Sequence, residues 1–170
     1  DGEYLVETAL GKTEVIIATP IERLKFPEVF ISLGKPTVEK LSDNQLASLS
    51  KLIIDDPSYL DFKKNFVELG QKKRLTMKVP LDFLAKTAFT KKTVMSLCDE
   101  LGIAGIILFA EDSRNKAMRS RYFTTLLDGG EDAVTGIASG SILAFCLQNS
   151  LLEEGEDLSL IHISEPTRPY

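Results

Sequence analysis

The sequence predicts an α+β fold in which a mixed β-sheet, curled toward a barrel, wraps around one buried helix. Two observations lead to this. Short apolar or alternating runs bounded by Gly, Pro, Asp and Lys recur up to residue 124 and read as strands. Residues 134–149 then form a helical stretch in which Ile137, Ile142, Leu143, Ala144, Phe145, Cys146 and Leu147 leave almost no polar face. A helix apolar all round is expected to be surrounded by protein.

Each element has its own signal. Tyr4–Thr8 and Thr13–Ala18 read as strands joined by a turn at Leu10-Gly11-Lys12. Pro20 to Pro27 reads as a connector, and Val29–Leu33 as a short strand closed by Gly34-Lys35-Pro36. Ser42 and Gln45 have capping-box spacing, opening a helix whose apolar face carries Leu46, Leu49, Leu52 and Ile53. Asp55-Asp56-Pro57 is expected to stop it. Phe66–Leu69 reads as a strand. Leu75, Met77, Val79 and Leu81 alternate with Thr76, Lys78, Pro80 and Asp82, the pattern of a strand buried on one face only, with Pro80 placing it near an edge or end. Thr90 is positioned to cap a helix through Val94, Leu97, Cys98 and Leu101, and Gly102 follows as its left-handed terminator. Ile103–Ala110 reads as a buried strand, Glu111–Asn115 as a turn, and Lys116–Thr124 as a returning strand.

Composition narrows the function. The chain has 170 residues, 44% of them hydrophobic, as in a globular protein. Its net charge of −5 argues against a nucleic-acid partner, and the basic run Lys72-Lys73-Arg74 reads as a solvated turn. The longest apolar run, Ile103–Ala110, is far below the ~20 residues that span a bilayer. The two cysteines, Cys98 and Cys146, form no CxxC pair and read as reduced core thiols in a cytoplasmic protein. No cluster of ligands suits zinc.

Residues 158–170, LSLIHISEPTRPY, resemble the translation of a transposon adapter used in sequencing libraries and are set aside from fold reasoning. His162, the single histidine, goes with them. The chain starts at Asp1 without methionine, and Tyr4–Glu7 already reads as mid-sheet, so an internal fragment is the expectation.

The segment from Gly129 to Gly140 carries the most chemistry. Glu131 and Asp132 precede a run of small residues that leads into the apolar helix. The first N–H groups of a helix lack internal partners and carry the positive end of its dipole, so a carboxylate and an anion cradle lie side by side. The plainer reading of Asp132 is an N-cap, of Glu131 a solvated loop acid, and of Gly136 and Gly140 close packing. Arg119 and Arg121 share one side of a strand, where they could attract an anionic substrate; the plainer reading is an ion-paired or solvated face.

Arg121-Tyr122-Phe123 followed by Glu131-Asp132-Ala133-Val134-Thr135-Gly136 resembles the C-terminal-half signature of phenazine-biosynthesis isomerase-like (PhzF-type) proteins, R-x-F and then E-D-P-[AV]-T-G-S-A. The resemblance is specific over residues 119–147 and one of order and pattern elsewhere. It implies the diaminopimelate-epimerase fold, two lobes that each wrap a mixed sheet around a central helix, with the site between them. Residues 1–27 would end the first lobe and 28–157 would form most of the second. It further implies proton transfer without metal or organic cofactor on a small carboxylate-bearing metabolite, with a homodimer left open. The first-lobe glutamate and Cys-Gly-His-Ala-Thr-type segment of that family have no counterpart here. By position, Asp132 matches the acidic site residue, Gly136 the glycine whose N–H faces substrate, and Thr135 the threonine between them. Asp132 is thus the candidate catalytic residue, and Glu131, Thr135, Gly136 and Ser139 are the candidate substrate-binding residues. The sequence departs from the signature at Ala133, in place of proline, at Ile137, in place of serine, and at Ser139, where histidine is common. Loss of that serine makes a catalytically silent binding relative the alternative. A cysteine-pair epimerase fits poorly, because Cys146 falls mid-helix.

Overall fold

The computed structural model describes residues 2–8, 11–18, 28–52, 61–114, 117–127, 130–132, 135–155 and 160–162. The chain divides into two compact units, Asp1–Lys35 and Pro36–Tyr170. The first holds an antiparallel sheet of β1 (Gly2–Thr8), β2 (Gly11–Ala18) and β3 (Glu28–Ile31), in that order. Because β3 pairs with β2, residues 28–31 belong to this unit and not to the one that follows.

The second unit is built on a mixed sheet. Its strands are β4 (Thr37–Glu39), β5 (Lys64–Leu69), β6 (Lys72–Lys78), β7 (Gly105–Asp112), β8 (Ala117–Thr124), β9 (Glu131–Asp132) and β10 (Leu160–His162). The order is β10-β8-β7-β6-β5-β4, and β9 shares the outer edge of β8 with β10. All neighbours are antiparallel except β6–β7 and β8–β10. Its helices are α1 (Asp43–Leu52), α2 (Leu81–Lys86), α3 (Lys91–Leu101) and α4 (Gly136–Gln148).

The helix ends obey their local chemistry. The Ser42 N–H donates to Gln45 Oε1 at 2.9 Å and the Gln45 N–H returns to Ser42 Oγ at 3.4 Å, a closed capping box. Thr90 Oγ1 accepts from the Thr93 N–H at 3.1 Å to start α3, and Gly102, at φ 63°, ends it. The expected stop at 55–57 lies outside the described residues. Two elements differ from expectation. Val79 and Leu81 do not extend β6. Pro80 takes the N-cap position of α2, where its missing N–H costs no hydrogen bond, and Leu81 begins that helix. β6 is also not a half-buried edge strand. It lies between β5 and β7 and is covered on both faces, so Thr76 is as buried as Met77.

Alternation along the central strands feeds two cores. Leu75, Met77, Ile106, Leu108 and Phe123 face Leu49 of α1, Leu84 of α2, and Val94 and Leu97 of α3. On the opposite face Val67, Ile107, Phe109 and Tyr122 meet Ala138, Ile142 and Phe145 of α4. The Phe109 and Phe145 rings pack edge to face with centroids 5.2 Å apart. The expectation of an encased helix is not met. Among the described residues α4 touches β4, β5, β6 and β7 on one side, and on its other side Leu143 and Leu147 remain 37% and 40% exposed. An all-apolar helix has therefore only one of its faces buried here.

Gly105 starts β7 against β8 with no room for a side chain. A methyl there would meet the Phe123 carbonyl oxygen at 2.5 Å and Tyr122 Cε2 at 2.6 Å, whereas one on Gly136 would meet nothing within 4 Å. Gly105→Ala is therefore expected to destabilise the domain by about 1–3 kcal/mol through overpacking. Gly136→Ala should be neutral, or stabilising by up to about 1 kcal/mol through helix propensity. Urea unfolding followed by circular dichroism measures both.

Candidate active site

The two acids before α4 lie in β9, where pairing with β8 fixes their directions. Asp132 stands opposite Tyr122 and Glu131 opposite Phe123. Directly paired residues share a face, and neighbours along a strand point to opposite faces. Phe123 belongs to the core under α1–α3 and Tyr122 to the core under α4. Adjacent acids in sequence are thus separated by the sheet: Asp132 is on the α4 side and Glu131 on the other.

Glu131 meets Arg121 there. Arg121 Nε donates to Glu131 Oε1 at 2.8 Å and Nη2 to Oε2 at 2.6 Å, a bidentate pair whose side chains are 14% and 21% exposed. Arg121 Nη1 donates to the carbonyls of Leu84 and Thr87 at the end of α2, and the guanidinium lies 4.9 Å from the Phe123 ring centroid. One side chain therefore ties α2, β8 and β9 together. Arg119, on the same face, pairs with the buried Asp112 at 2.7 Å. Of the readings offered for this strand face, ion pairing is the one observed.

On the α4 side the helix begins after Thr135, its N-cap, an extended residue at φ −145° whose side chain makes no capping bond. Gly136 is exposed, with open space beside its Cα. The hydroxyls that could replace the serine lost at Ile137 both turn back along the helix. Ser139 Oγ donates to the Thr135 carbonyl at 3.4 Å, and Ser141 Oγ to the Ile137 carbonyl at 3.0 Å. Ile137 points toward the β5–β6 turn: a methyl on Gly70 would stand 3.9 Å from its Cδ1.

That turn brings in a residue the sequence did not single out. Gly70 and Gln71 both have φ of 60°, the backbone of a tight two-residue hairpin. Beneath it lies Arg74, 4% exposed. Lys72-Lys73-Arg74 is therefore not wholly a solvated turn. Lys73 reaches Glu39 at 2.8 Å near the surface, while Arg74, opposite Val67 in register, points under α4. Arg74 Nη1 donates to the Leu69 and Lys72 carbonyls at 3.1 and 2.9 Å, and Nε to the Tyr122 hydroxyl at 3.4 Å. A signal was present in the alternation, since Arg74 falls in phase with Thr76 and Lys78 and out of phase with the apolar Leu75 and Met77. The α4 side of the sheet thus carries a half-buried acid, a helix start whose N-cap side chain makes no capping bond and a buried guanidinium.

Other features lie elsewhere. An open groove of about 800 Å³ between α2 and the β7–β8 turn is lined by Asp82, Glu111, Asp112, Arg114 and Arg119, and by no residue of 131–140. No group of three or more His, Cys, Asp or Glu among the described residues is placed to hold a metal ion. No described helix is long and apolar enough to cross a membrane. Cys146 is fully buried in the last turn of α4, far from the helix start. Burial pushes its thiol up to about 11, against the pull of Lys78 and helped by Glu111. Burial, with Asp99, does the same to Cys98. Neither thiol suits proton abstraction at neutral pH.

With this geometry in view, comparison with solved structures shows which fold it is. A phenazine-biosynthesis PhzC/PhzF-type protein from Clostridium difficile strain 630 superposes with a TM-score of 0.56 over 96% of this chain at 19% identity. A predicted epimerase from Pseudomonas aeruginosa superposes with a TM-score of 0.66 over 91% at 18% identity. The chain has the fold of these proteins and spans about half of each, 53% and 52% of their lengths. No protein-family model matches the sequence, and neither does a curated protein. The likeness in fold agrees with the resemblance read from residues 119–147.

Two tests follow. Arg121→Met should cost about 1.5–3 kcal/mol, because it strands Glu131 and two helix carbonyls; a urea titration gives the value. The thiols titrate higher in the folded chain than the ordinary 9.0, so their neutral forms add stability that is intact below pH 9.0 and lost as pH rises toward about 11. A thiol reagent at about pH 8 should label neither cysteine in the native chain and both after denaturation.

Proposed function

We propose that this chain holds the end of the first lobe and most of the second lobe of a proton-transfer isomerase of the phenazine-biosynthesis-like family, acting on a small carboxylate-bearing metabolite without metal or organic cofactor. The observation that carries this reading is the separation of the two signature acids by β9, which puts Asp132, and not Glu131, on the α4 side of the sheet. Proton transfer between carbon atoms needs an acid or base poised beside the migrating proton and donors that stabilise the enolate formed on the way. In this reading Asp132 orients substrate or relays the proton. The N–H groups that begin at Gly136 hold the substrate's carboxylate or the developing oxyanion, with Thr135 shaping the entrance. Glu131 is assigned to fixing β9 through Arg121 and not to substrate. Ser139 is left with a minor part, its hydroxyl being engaged within the helix. The opposing acid belongs to a first lobe, and the site is a cytoplasmic one.

A specific observation favours the second reading. Ile137 occupies the place of the signature serine, and neither Ser139 nor Ser141 turns toward the mouth. A relative without that hydroxyl would still bind a small acid while catalysing nothing.

Solvent-deuterium incorporation decides between them. The 170-residue chain alone is expected to exchange no substrate proton, and a longer gene product carrying both lobes is expected to do so, with Asp132→Asn lowering the rate by about 10²–10⁴-fold. Exchange by the short chain would contradict the two-lobe mechanism. Binding without exchange by the longer product would establish the silent relative.

A further inference from the structure

We propose that Arg74 is the fixed cation of a carboxylate-binding subsite at the mouth of α4. The proposal rests on reading that mouth as the ligand site and adds to it the residue that selects the ligand's charge. Three observations support it. First, Arg74 is buried without an acid. Its partners are two backbone carbonyls and the Tyr122 hydroxyl, and no carboxylate pairs with it among the described residues. A guanidinium taken out of water is normally matched by an anion, since desolvating a lone charge is costly. Second, its donors are not all used. Nη1 and Nε are engaged, while Nη2 has no partner among the described residues. The single wholly buried side-chain polar atom left without a hydrogen bond among those residues is Thr76 Oγ1, so Nη2 is not sealed in. Thr76 is the next residue along the same face of β6, so a buried hydroxyl and a guanidinium Nη2, each without a partner among the described residues, follow one another under α4. Third, the position is right. Arg74 is bonded to the carbonyls of the very turn whose Gly70 approaches Ile137 in the first turn of α4, and to the hydroxyl of Tyr122, the residue paired with Asp132.

Two positive sources thus converge on one opening. The helix N-terminus offers N–H donors and a partial charge, and Arg74 offers a full charge with a rigid fork. A small organic carboxylate satisfies both. The tight Gly70–Gln71 turn and the packed Tyr122 ring keep the guanidinium in place, so little side-chain freedom is lost on binding.

The test uses the 170-residue protein with benzoate as the anionic probe and benzamide as its neutral isostere. Benzoate is expected to shift the Arg74 Nε–H signal of ¹⁵N-arginine-labelled protein together with the backbone amides of Gly136–Ser139, and benzamide to shift neither. Arg74→Gln should weaken benzoate binding about tenfold or more. Benzoate binding is read on this chain and proton exchange on the longer product, so the failure of one is distinguishable from the failure of the other. Should Arg74→Gln fail to fold, the labelled unaltered protein decides alone. Benzoate shifts confined to Arg114 or Arg119, shifts that spare Gly136–Ser139, equal responses to benzamide, or binding by a folded Arg74→Gln within about twofold of the unaltered chain would each overturn the proposal.

Discussion

Two residues of β-pairing set the character of the α4 mouth. β9 is only Glu131 and Asp132, yet its register against Tyr122 and Phe123 sends one acid to each side of the sheet. Had the strand slipped by one residue, Asp132 would lie beside Arg121 and Glu131 under α4, because the side-chain period of a strand is two. What resists that slip is the Arg121–Glu131 pair. It grips the carboxylate bidentately and is itself held by the carbonyls at the end of α2 and by the Phe123 ring. An interaction on the far side of the sheet therefore determines which carboxylate faces the helix.

The electrostatics of the two faces differ accordingly. Under α1–α3, each arginine of β8 meets a carboxylate at short range, Arg119 with Asp112 and Arg121 with Glu131. Under α4, Arg74 is met by neutral oxygens only. The chain as a whole carries a net charge of −5, but this local region is biased the other way, and burial reduces the screening that water would supply.

Much of the architecture was legible in the sequence because it rests on local chemistry. Ser42 with Gln45, Thr90 and Gly102 mark helix ends by hydrogen bonds within one turn, and they do so here. The alternation around Leu75 identified a strand, but not that a helix some sixty residues later would cover its polar face. That is why Thr76 and Arg74 were read as solvated. Pro80 was assigned to a strand because the hydrophobic rhythm continues through Leu81, whereas the chain uses proline to open α2. The acid–glycine segment marks the start of α4, but the opposite destinations of Glu131 and Asp132 depend on a partner strand outside that segment. The uniformly apolar α4 suggested full enclosure, while the described chain supplies a sheet on one side of it.

Sheet order also bears on how this unit comes into being. From β4 to β8 every strand lies beside its predecessor in the chain, with the α1 connection and the α2–α3 excursion as the two long detours. Contacts of short sequence separation form quickly, since little loop entropy opposes them. α4 differs: its residues must find β4, β5 and β6, roughly a hundred positions upstream at the farthest, and it has a platform only after those strands have zipped together. α4 is thus expected to dock late and release early, with its backbone amides exchanging through partial opening while those of β6 and β7 await global unfolding.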